Sequence, residues 1–157
     1  MNIRTRLTLG FCLAFSIFVP IHVTAAEPEL MAVLSVMGYG YKVKLTINGV
    51  DPGIEGGKSE GRRLFNKGSE MANKASPQIR ARNFILNQGA NEIAIEYVKI
   101  DPKSNDELEI KIEAEGYPQP LFRLTSRSKA SDKVSAKLML APKAPVDFKP
   151  VVFSEAK

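Results

Sequence analysis

Tryptophan is absent from this chain, and cysteine and histidine each occur once, as Cys12 and His22. Both lie in a segment with the marks of a secretory signal peptide. Arg4 and Arg6 form a positive start, Leu7 to Val19 an apolar core, and Pro20 a helix break. Val23-Thr24-Ala25-Ala26 then offers small residues for cleavage after Ala25 or Ala26. Phe11 directly before Cys12 departs from a bacterial lipid-attachment pattern, and Leu7 to Val23 is short for a bilayer span. The expectation is an exported chain, periplasmic or secreted, that begins at Ala26 or Glu27 and has no later segment of membrane length. That chain has no Cys, His or Trp. The lack removes structural thiolates, the usual transition-metal ligands, histidine-based acid–base catalysis and the strongest stacking side chain.

What remains fits one domain, large enough to build a core without crosslinks. Removing Arg4 and Arg6 lowers the formal net charge from +5 to +3. The charge is blocked. Residues 58–82 hold seven basic side chains against Glu60 and Glu70, and 121–149 hold seven against Asp132 and Asp147. Between them, 92–115 carry eight acidic side chains against Lys99, Lys103 and Lys111. Acidic and basic strands paired across a sheet account for this without any partner. A basic surface left unpaired would instead attract an anionic one. Nucleic acid is excluded as that partner by export, despite a pI near 9.4.

The dominant hydrophobic period is two. Tyr41, Val43, Leu45 and Ile47 alternate with Lys42, Lys44 and Thr46, and Asn48-Gly49 follows as a type I′ turn signal. Ile93, Ile95 and Tyr97 alternate with Ala94, Glu96 and Val98. Leu108, Ile110, Ile112 and Ala114 alternate with Glu109, Lys111, Glu113 and Glu115, which belong in solvent. Leu30 to Met37, Phe122 to Leu124 and Val134 to Leu140 complete the clear strands. Val43, Leu45, Ile47, Ile93, Ile95, Leu108, Ile110, Ile112, Leu124 and Leu138 are the expected core.

Residues 50–83 are ambiguous. A strand at 62–66 followed by a loop with one helical turn is the expectation, because Gly68 penalises the helix that Leu64, Phe65, Met71, Ala72 and Ala75 would otherwise allow. Prolines at 142, 145 and 150 make 141–157 an extended tail, with Val151-Val152-Phe153 available to dock on a sheet edge. The organisation is thus a signal peptide at 1–26, a domain at 27–140 and that tail. Seven or eight short strands imply an all-β, antiparallel β-sandwich. Leu86-x-x-Gly89-x-Asn91-x-Ile93-x-Ile95 resembles a turn-into-strand element of immunoglobulin-like and fibronectin-like modules.

No motif survives comparison with its chemistry. Gly53 to Ser59 misses the phosphate-loop spacing because Pro52 stands where its first glycine belongs. Ser126-Arg127-Ser128-Lys129 has a Ser-x-x-Lys spacing but sits in a loop between strands, not at a helix start. Asp101, Ser104, Asn105, Asp106 and Glu107 lack the glycine and terminal glutamate of a calcium loop and read as a turn. The function that fits is a non-catalytic bacterial export that binds a protein or an anionic envelope component, with no cofactor. Candidate contact residues are Arg62, Arg63, Arg80 and Arg82, with Tyr39 and Tyr117 as turn aromatics. Two other readings stay open here: a carbohydrate-binding module using Tyr39 and Tyr117, and an enzyme relying on carboxylates, Lys, Tyr or Ser alone. Oligomeric state is open as well.

Overall fold

The computed structural model describes residues 27–103, 105–128 and 131–155; the expected signal peptide lies outside them. The chain runs β1 (Met31–Met37), β2 (Tyr41–Ile47), β3 (Ser59–Phe65), α1 (Glu70–Lys74), α2 (Pro77–Asn83), β4 (Gly89–Lys99), β5 (Leu108–Ala114), β6 (Phe122–Ser126), β7 (Asp132–Leu140) and β8 (Val151–Ser154). The strands form a five-stranded sheet, ordered β3-β1-β5-β6-β8, and a three-stranded sheet, ordered β2-β4-β7. This is an all-β sandwich. All ten expected core side chains are buried, joined by Tyr41 and Tyr97. Alternation at period two places one face of each strand inside, which is why the local pattern located the core.

Three features differ from the sequence expectation. Residues 70–83 hold two short helices rather than a loop with one helical turn. Ser69 and Ser76 are their N-caps, accepting from the amides of Ala72 (3.3 Å) and Ile79 (3.4 Å), and Pro77 opens α2. Gly68 lies before the first cap, so its helix penalty does not apply. The strand placed at 62–66 starts earlier, at Ser59. Finally, β8 pairs with β6 in parallel, Phe122 opposite Val151 and Leu124 opposite Phe153. Every other strand pair is antiparallel. Residues 141–150 are long enough to bring the chain from β7 in one sheet back to β6 in the other.

Asn48 and Gly49 take positive φ (52° and 75°), as the turn signal required. Reciprocal backbone bonds between Ile47 and Val50 (2.9 Å each) close the turn, but no pairing of β2 with β3 follows from it, because β2 pairs with β4. Asn48 instead ties the turn to β4. Its side-chain amide donates to Ile85 O (2.8 Å) and Asn91 Oδ1 (2.9 Å), and its Oδ1 accepts from the Glu92 amide (3.0 Å).

Candidate partner-binding surface

Residues 51–57 pass from β2 to β3 and are fastened by alternate side chains of β3. Glu60 accepts from the amides of Glu55 (3.1 Å) and Gly56 (3.3 Å) and pairs with Lys58 at 3.1 Å. Burial pushes the Glu60 carboxyl up, but Lys58 and those two amides outweigh it and hold it below the usual carboxylate range. Arg62, two residues on, donates through Nη2 to Gly53 O at 3.3 Å. Ile54 is buried, anchoring the loop in the core.

Phe84, just past the end of α2, stacks on Phe65 of β3 with centroids 5.1 Å apart, and Asn83 donates to Arg63 O at 2.8 Å. This docking carries Arg82 to the same loop. A carbon added at Gly53 would lie 3.3 Å from Arg82 Nη1 and 3.4 Å from Arg62 Nη2. Two guanidiniums therefore flank one glycine. Neither has an ion-pair partner among the described residues, and the buried Nε of Arg62 has no hydrogen-bond partner. The other two candidate arginines do not join them. Arg63 projects from the opposite face of β3, and Arg80 donates to Asn73 O (3.2 Å) and Ala75 O (3.1 Å), tying α2 to the end of α1.

The second basic block behaves differently. Arg123 pairs with Glu109 (2.8 Å), Arg127 with Glu107 (2.8 Å), Lys133 with Glu96 (2.8 Å) and Lys137 with Glu92 (3.7 Å). Cross-strand pairing thus matches 92–115 against 121–149 and leaves 58–82 out. Glu109, expected in solvent, has a side chain only 14% exposed, because Arg123 reaches it from the neighbouring strand.

Of the two candidate tyrosines, Tyr39 is 55% exposed on the β1–β2 turn. Tyr117 is engaged within the fold. Its ring meets Phe148 edge to face at 4.9 Å, and its hydroxyl donates to Met139 O (3.3 Å) while accepting from the Ala141 amide (2.9 Å).

A polar group not anticipated from composition fills one end of the sandwich. Lys99 is 5% exposed, donates to Asp106 O at 3.0 Å and lies 5.3 Å from the Tyr41 ring centroid. The Tyr41 hydroxyl reaches Ser126 O at 3.2 Å, Ser126 Oγ bonds the Glu155 carboxylate, and Tyr97 reaches Asp132 at 3.4 Å. Counting alternate residues from Ile93 through Tyr97 puts Lys99 on the inner face; that was the available signal. The network satisfies its own members and closes the sandwich end. Among the described residues, no group of three or more His, Cys, Asp or Glu side chains is placed to hold a metal ion, and no helix is long and apolar enough to cross a membrane. Two open depressions, ≈ 410 and ≈ 450 Å³, lie over the outer face of the three-stranded sheet.

No protein-family model, curated protein or solved structure matches this chain.

Proposed function

We propose that this chain is an exported, non-catalytic β-sandwich that binds an anionic envelope component through the face bearing Arg62 and Arg82. The observation that carries the reading is the pair of guanidiniums beside Gly53, neither ion-paired among the described residues although the Asp51 carboxylate accepts from the Gly53 amide at 2.7 Å, in a molecule where Arg123, Arg127, Lys133 and Lys137 of the other basic block are matched by acids. Like charges held together repel, so an incoming anion gains from both. Guanidinium forks also suit the planar, bidentate geometry of carboxylate and phosphate.

Export is tested by the intact mass of the natively expressed protein, expected to begin at Ala26 or Glu27; a chain starting at Met1 refutes it. Binding is tested with Arg82→Ser, which removes one of the two guanidiniums at Gly53 while the Arg62 bond to Gly53 O stays in place. Retention on an immobilised acidic polysaccharide and on anionic vesicles is compared with wild type. Raising salt from about 10 mM to about 150 mM shortens screening from roughly 30 to 8 Å and weakens an electrostatic contact. Both changes should reduce retention. Retention that ignores substitution and salt alike removes the basic face from consideration.

A further inference from the structure

The three-stranded sheet ends in β7, whose outer edge is open. Met139 O and the Ala141 amide both turn away from β4, toward the Tyr117 hydroxyl. Strand groups alternate sides, so the amides and carbonyls of Ser135 and Lys137 turn the same way. Among the described residues these groups have no hydrogen-bond partner. The inner-face residues alongside, Val134 and Ala136, are only half-buried, whereas Leu138 and Leu140, nearer the Tyr117 contact, are buried. An unpaired edge with incompletely covered apolar residues is a template for strand addition.

Charge selects what fits. The rows across the sheet read Lys44 opposite Glu96 opposite Lys133, and Glu92 opposite Lys137. Continuing the alternation of sign requires an acid beyond Lys133 and another beyond Lys137, four residues apart. Between them, residues beyond Val134 and Ala136 face inward and should be apolar. β7 already holds such a sequence on its paired edge: Glu92-Ile93-Ala94-Ile95-Glu96 lies opposite Lys137, Ala136, Ser135, Val134 and Lys133 in that order. A second copy of the chain fits less well. Antiparallel pairing of two β7 edges centred on Ser135 or Lys137 sets lysine against lysine, which is destabilising, and pairing centred on Ala136 sets Lys133 against Met139 and Lys137 against Ser135, which gives neither lysine an acid.

We propose that the free edge of β7 binds an extended segment of a partner protein with the pattern acid–apolar–any–apolar–acid, added as a fourth strand. This surface is separate from the Arg62–Arg82 face, and the two stand or fall independently.

The test uses two fluorescein-labelled peptides flanked by Gly-Ser, one carrying Glu-Ile-Thr-Ile-Glu and the other Lys-Ile-Thr-Ile-Lys. Anisotropy should show the acidic peptide binding at least about tenfold more tightly, the size expected when two cross-strand charge pairs reverse sign. The amides of Ser135 and Lys137 should shift in NMR spectra and become protected from exchange. Lys133→Glu with Lys137→Glu should invert the preference. Ser135→Pro, which removes an edge donor and leaves the β4 ladder intact, should abolish binding of both peptides with an unchanged circular-dichroism spectrum. Arg82→Ser should leave peptide affinity unchanged. Equal binding of the two peptides to the wild-type protein, or of neither, overturns the proposal. So does a dimer in sedimentation whose Ser135 and Lys137 amides are protected without peptide, since a second copy then occupies the edge.

Discussion

Tyr41 and Tyr97 meet edge to face inside the sandwich, ring centroids 6.3 Å apart and planes at 64°. Burial pushes the Tyr97 phenol up to about 12, with Glu155 and Asp132 adding to it and the Ser126 hydrogen bond opposing it. Tyr41 is raised too, by burial first and then by Glu155, Asp106 and Glu107. A phenol with a raised folded-state pKa contributes stability below its unfolded value and loses it as pH climbs. Urea-unfolding stability should therefore fall between pH 10 and about 12. Tyr97→Phe should show a shallower fall over that window than wild type. Parallel profiles for the two proteins would contradict the assignment.

Ile110 is 0% exposed, with Val36 and Leu124 opposite it on the flanking strands. Ile110→Asp places an unpaired carboxylate there and should cost more than about 3 kcal/mol. Glu109→Asp only shortens the reach to Arg123 and should change stability by less than about 1 kcal/mol. Denaturant midpoints measure both, and equal costs would mean the strand is out of register.

Gly56 has φ +82°, and a carbon added there would sit 2.5 Å from Tyr41 O. Gly57 has φ +76° with nothing within 4 Å. Gly57→Ala should cost only the left-handed backbone penalty, about 1–2 kcal/mol. Gly56→Ala adds a clash with backbone and should cost distinctly more. Thermal unfolding of the two variants separates strain from contact; identical shifts would mean the loop simply moves aside.

Tyr117→Phe keeps the ring on Phe148 but removes both hydroxyl bonds that hold the end of β7. A loss of about 1–2 kcal/mol is expected, about one for each bond. Tyr39→Ala, on an exposed turn, should leave stability within about 0.5 kcal/mol. Calorimetry distinguishes them, and a silent Tyr117→Phe would show that the hydroxyl bonds are not formed in solution.

Alternation along β2, β4, β5, β6 and β7 determined the strand class, the inner face and the ten core side chains, because period two is a local property that needs no knowledge of what lies opposite. The Asn48-Gly49 turn was legible for the same reason: positive φ is decided by those two residues. Even the inward position of Lys99 was present in the count along β4, although its charge argued against a core site until Asp106 O and the Tyr41 ring were seen beside it. Which strand lies beside which was not legible. β2 passes over β3 to pair with β4, and β8 adds in parallel to β6, through contacts tens of residues apart whose energies depend on the whole packed sandwich. The same holds for the charges. Sequence displayed two basic blocks alike, and only strand register set Lys133 and Lys137 against Glu96 and Glu92 while leaving Arg62 and Arg82 together at Gly53. A side chain's partners across a sheet are fixed by register, and register is a property of the fold.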